Sequence, residues 1–225
     1  MKKWILGWGI MGMCALQGVE TSPEKEFEYI QECAKSTHAP LSVVLRDLTV
    51  GISDESFDEA FIAKIAALEK KAFDGEYVEH WGNGQLKIRA FFKKGKVDGH
   101  VHGWYQDGKE AFKAFFYEEK KVGVHLAVAP YAPRRCNGGP VRLRYYNEEG
   151  KLDGQQQADY LVGWLKTIAA YENGVLNGRV EFCYSPDLGS NDVEEREYKD
   201  GKLISKRMRA PKGSMSKDQG PKVSE

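Results

Sequence analysis

A glycine-punctuated repeat constrains this chain more than any other feature. Four segments share an aromatic residue, a turn and a second small residue: Phe92 to Gly99 (FKKGKVDG), Tyr146 to Gly154 (YNEEGKLDG), Tyr171 to Gly178 (YENGVLNG) and Tyr198 to Ser205 (YKDGKLIS). A fifth, Phe116 to Gly123 (FYEEKKVG), lacks the first glycine. The closing positions lie 24, 31, 24 and 27 residues apart. Asn-Gly, Asp-Gly or Glu-Gly after an aromatic supplies the positive φ of a tight hairpin turn. Past Gly99, the residues Val101, Gly103 and Tyr105 alternate with more polar ones, and past Gly178 so do Val180, Phe182 and Tyr184. Each closing glycine is therefore expected to open a strand with one apolar face. A second turn falls between the motifs, as in Tyr105 to Gly108, and Trp81 to Gly84 has the same form. A lone hairpin cannot bury its own face, so stability must come from stacking. The expected fold is mainly β: an elongated antiparallel meander of stacked β-hairpin repeats with an N-terminal helical region.

Composition agrees with this reading and removes other classes. The 225 residues include 24 glycines, above the usual share of about 7%. Hydrophobic residues at 41% exclude wholesale disorder. The 33 basic and 33 acidic residues cancel, which argues against a strongly cationic nucleic-acid binder. The neutrality hides a division: residues 206–225 carry +4 and residues 19–205 carry −6. Residues 206–225 read as a disordered basic tail. Residues 130–140 (PYAPRRCNGGP) and 187–192 (DLGSND) read as inserted loops.

Aromatic-x-Asn-Gly-Lys-x-x-Gly followed by an aromatic strand resembles the MORN-type repeats of bacterial proteins, in particular the YwqK-like antitoxin repeat family. The resemblance covers about residues 75–205; Tyr171 to Gly178 and Phe92 to Gly99 carry it best, and the copy ending at Gly123 departs from it. It implies a twisted sheet of stacked hairpins and no catalytic residues. It also implies scaffolding or association with membrane lipid as general roles.

The first 74 residues differ in kind. Lys2 and Lys3 precede an uncharged run of 13 residues, Trp4 to Leu16. That run is too short to span a membrane as a helix and suits a secretory signal, read here as residues 1–18. Cys14 admits a lipoprotein variant, although Met13 departs from its pattern. The alternative is a cytosolic antitoxin-like protein in which Trp4 to Leu16 is structural. Residues 24–36 are expected to form a helix, with Phe27, Ile30, Cys33 and Ala34 on one face. A second helix over 54–73 would be capped by Ser53 or Asp54 and stopped by Gly75. Between them residues 40–49 (PLSVVLRDLT) admit a strand or a short helix. The whole 19–74 region is expected to cover one end of the sheet.

No constellation of residues reads as an active site, and the chain is expected to be a non-enzymatic binding or scaffold module without cofactor or metal. His100 and His102 share a strand face, and the alternation around Val124 and Leu126 suggests that His125 joins it through a one-residue slip. A two-strand repeat would still place His125 about 10 Å away, too far for a shared zinc. The acidic pairs Glu118-Glu119, Glu148-Glu149 and Glu194-Glu195 read as solvated carboxylates. Cys33, Cys136 and Cys183 read as buried thiols, with room for one disulfide. Trp104, Tyr105, Tyr146 and Trp164 are the aromatic binding candidates, and Arg134 and Arg135 the loop cations facing an anionic partner. A protein partner is expected first, membrane lipid or glycan second, and nucleic acid not at all.

Overall fold

The computed structural model describes residues 23–49, 57–128, 141–159, 166–183 and 193–209. Three helices, α1 (Pro23–Ala34), α2 (Leu41–Thr49) and α3 (Glu59–Lys70), precede the strands. The strands are β1 (Gly75–His80), β2 (Leu86–Lys93), β3 (Lys96–Val97), β4 (Gly99–Trp104), β5 (Glu110–Tyr117), β6 (Lys120–Val128), β7 (Val141–Tyr146), β8 (Gly154–Asp159), β9 (Lys166–Glu172), β10 (Val175–Cys183), β11 (Val193–Lys199) and β12 (Lys202–Arg209). They form one open antiparallel meander in sequence order, with β3 alone off the path and paired to β2. Eleven strands in line, at about 4.8 Å spacing, extend roughly 50 Å. The sheet runs on through Arg209, so Lys206 to Arg209 belong to an edge strand and not to the tail.

Two turn types build the meander. Lys94-Gly95, Glu118-Glu119, Asn173-Gly174 and Asp200-Gly201 all have positive φ at both positions, the type I′ arrangement that matches strand twist. The degenerate copy keeps this geometry with two glutamates at φ 48° and 68°. At Trp81, Tyr105 and Asn147 the turn is longer. There Gly84, Gly108 and Gly150 donate back to the carbonyl three residues earlier, at 2.9, 2.9 and 3.0 Å. The copy starting at Tyr146 thus uses the second type, because its aromatic-to-glycine spacing is one residue longer. The repeats also bond to one another. Gly174 N–H donates to Leu152 O at 2.7 Å, and Gly201 N–H to Leu176 O at 2.9 Å.

The closing glycines do less than open strands. Gly99 and Gly154 do begin β4 and β8, but Gly123 and Gly178 lie inside β6 and β10, where the pairing register shifts. They mark bulges, which bend the strand and add twist.

The helical region lies over a face of the sheet, not over its end: α1 packs on β9 and β10, and α2 on α3 and β6. Leu41, Val44, Leu45 and Leu48 recur at helical spacing and are buried, which decides the 40–49 segment as helix. Asp58 caps α3, its Oδ1 accepting from Phe61 N–H at 2.8 Å; Ser53 and Asp54 lie outside the described residues. The helix ends at Lys70 and Ala72 turns left-handed at φ 52°, before Gly75 is reached. The edge strands are β1 and β12.

One face of the sheet is therefore covered, where cover of one end was expected. Two apolar cores form beneath the helices. In the first, Leu45, Phe57, Phe61 and Ile65 meet Ile88, Phe92, Phe112 and Phe116. In the second, Phe27 and Ile30 of α1 meet Leu152, Tyr171, Val180 and Phe182. Gly103 is required by the first: a Cβ there would lie 2.3 Å from the Phe112 ring.

Candidate functional site

Between the two cores runs a buried polar seam. In β7 (VRLRYY), Arg142 and Arg144 face the helices, while Leu143 and Tyr145 pair with the open-face residues Gln157 and Val124. This inverts the usual choice of which alternate set is buried. The reason lies in α1 and α2. Glu26 sits on the apolar face of α1 and is fully buried. It receives Arg142 through Nε at 3.2 Å and through Nη2, and lies 3.8 Å from Arg144 Nη2. Asp47 of α2 lies 3.4 Å from the same Arg144 nitrogen. Arg142 Nη1 also donates to the carbonyls of Asp47 and Leu48, at 2.8 and 3.4 Å. These are last-turn carbonyls of α2 that no helical partner can satisfy, and their dipole favours a cation.

The seam continues into β6. Lys121 is buried, donates to Cys33 O at 3.0 Å and stands 4.8 Å from the centroid of the Tyr146 ring. His125 lies between Phe116 and Tyr146, at 5.2 and 4.7 Å between centroids, with Nε2 3.0 Å from Phe115 O. Burial shifts Lys121, His125 and Tyr146. It lowers Lys121, drops His125 to about 4 and raises Tyr146 well above the usual phenol range. Burial, reinforced by the Asp47 carboxylate, pushes the Cys33 thiol up to about 12. That thiol is free and stays protonated at neutral pH, a poor nucleophile. Two polar atoms of the seam, Arg144 Nε and His125 Nδ1, have no hydrogen-bond partner among the described residues.

Of the residues singled out in the sequence, the three described ones, Trp104, Tyr105 and Tyr146, are not brought together. Trp104 is half-buried on the helix-free face, 5.6 Å from the His102 ring, and its carbonyl accepts from Trp81 Nε1 at 2.9 Å. Tyr105 is buried on the other face under Phe57, and its hydroxyl donates to Val128 O at 2.7 Å. Tyr146 is buried in the seam. Arg134, Arg135 and Trp164 lie outside the described residues, as do Cys14 and Cys136.

The histidines divide as well. His100 and His102 share the open face with ring centroids 5.9 Å apart, whereas His125 is buried on the helix side, so the proposed slip does not occur. Among the described residues no three His, Cys, Asp or Glu side chains converge as a metal site. Glu118-Glu119 and Glu148-Glu149 do lie at turns. Glu194 and Glu195, expected to be solvated, are buried. Arg196 and Lys206 reach Glu194 at 2.6 and 3.0 Å, and Arg207 and Arg209 each reach Glu195 at 2.6 Å. As neighbours in one strand they point to opposite faces, so they cannot act as a carboxylate pair.

Sequence reasoning missed the seam. Its one visible signal is a glutamate, Glu26, placed i−4 from Ile30 on an otherwise apolar helix face. No family model matches this chain, and comparison with curated proteins finds no match.

Proposed function

We propose that the chain is an exported, non-catalytic binding module whose helix-free sheet face receives a protein partner. One observation carries the reading: over β2 to β7 that face carries aromatic and aliphatic side chains among a few charged ones, Arg89 and Lys113, where contact with water alone would favour polar residues throughout. Phe91, Tyr117, Val124 and Tyr145 are exposed there, and His100, His102, Trp104 and Phe115 lie among them. The His100 and Phe115 rings stack at 4.6 Å. Contiguous exposed apolar area with rigid aromatics is the usual mark of a protein-recognition surface. The signal-like residues 1–18 support export, and the likeness to MORN-type repeats supports a scaffolding role.

The test is a photo-crosslinking residue placed at Trp104 or, as a control, at Glu197 in β11. In envelope fractions, discrete adducts are expected from position 104 and few from 197. Absence of adducts at 104, or equal yields at both, overturns the reading. Mass spectrometry of the native N-terminus tests export in parallel: cleavage near residue 18 or lipid on Cys14 supports it. An intact cytosolic N-terminus favours instead an antitoxin-like protein using the same face on a toxin.

A further inference from the structure

Among the described residues the charges of the seam do not balance. Glu26 and Asp47 supply two negative charges, and Arg142, Arg144 and Lys121 supply three positive ones. The two arginines share the two carboxylates. Lys121 has no carboxylate within ion-pair distance among the described residues. Its ammonium carries three N–H donors, and Cys33 O with the Tyr146 ring engage two of them. Arg144 Nε likewise lacks an acceptor among the described residues. Among the described residues the seam therefore holds one more cation than anion, and buried charges ordinarily find partners.

Lys121 also lines a cleft between α1 and α2. The cleft has a volume of about 360 Å³, within the range of small-ligand pockets, and Tyr29, Ala39, Val43 and Val44 line much of it. The charged side chains at its rim are occupied: Glu32 pairs with Lys35, and Arg46 with Glu59 at 2.9 Å. We propose that this cleft binds an aliphatic monocarboxylate, its carboxylate received by Lys121 Nζ and its hydrocarbon chain by the apolar walls of α1 and α2. One negative charge matches the surplus. A second would meet Asp47 and Glu32, which also line the cleft. The proposal does not rest on the aromatic face, which lies on the opposite side of the sheet.

The experiment is calorimetric titration of the full chain with sodium octanoate, with octan-1-ol as the uncharged control. Octanoate is expected to saturate a single site and octanol to bind at least about tenfold more weakly. Lys121→Met is expected to weaken octanoate about ten- to a hundredfold and to leave octanol unchanged, the loss of one charge-assisted contact. Val43→Trp, at a half-exposed position on the cleft wall, should abolish both without lowering the melting temperature. That arm decides the matter if Lys121→Met does not fold. The proposal fails if octanoate does not bind, if octanol binds equally well, or if Val43→Trp binds octanoate unchanged.

Discussion

The sheet up to β6 and the sheet from β7 onward are built from one repeat, yet they are finished differently. The first part lies under α2 and α3 and turns an aromatic face outward. The second lies under α1, and its open face is charged: Arg179, Arg207 and Arg209 converge on Glu195. The same hairpin geometry thus leaves each face free to be assigned separately. Where a helix docks, large apolar side chains turn toward it; where none docks, the outward set can serve recognition or solubility. Between the two parts, the polar seam joins α1 to α2 through Arg142, which touches Glu26 on one and the Asp47 carbonyl on the other.

The largest expected effect tests whether that seam couples the parts. Glu26→Ala leaves two arginines buried against one remaining carboxylate and should cost about 3–5 kcal/mol. In urea unfolding, fluorescence of Trp81 and Trp104 should shift together with probes in β10. If only β10 responds, the parts are independent.

Next in size is a pH effect. His125 titrates near 4 when folded, below its ordinary 6.5, because burial opposes the charged ring. The unfolded chain then takes up a proton that the folded one refuses. The contribution is complete above pH 6.5 and is lost as pH falls toward 4, on the order of 3 kcal/mol. Stability measured across that window should fall less steeply for His125→Gln than for the parent.

A smaller effect probes the density of the first core. Gly103→Ala drives a methyl into the Phe112 ring and should cost about 1–3 kcal/mol by thermal unfolding. An unchanged melting temperature would show that Phe112 yields freely. The smallest lies at a turn: Lys96→Ala removes an exposed pair with Glu119 at 2.6 Å and should shift stability by less than about 1 kcal/mol.

Much of the architecture is legible in the sequence. The turns at Gly95, Gly174 and Gly201 follow from glycine chemistry, and α1 and α3 follow from the spacing of Phe27 and Ile30, and of Phe61 and Ile65. The candidate site is far less legible. Tyr105 and Tyr146 read as aromatics for binding, but both serve the covered side. Glu194 and Glu195 read as solvated and are buried, and His125 lies on the face opposite His100 and His102.

Alternation along a strand determines which side chains share a face, because the backbone pleat permits nothing else. Glycine placement likewise determines where the chain reverses, through the steric cost of positive φ for other residues. Which of the two faces is buried is a separate matter. It was decided only when α1 brought Glu26, and α2 brought Asp47 and its terminal carbonyls, over β7. These groups made the interior a better place for two guanidiniums than for Leu143 and Tyr145. That preference arises from contacts more than ninety residues apart in the chain, beyond the reach of any local pattern.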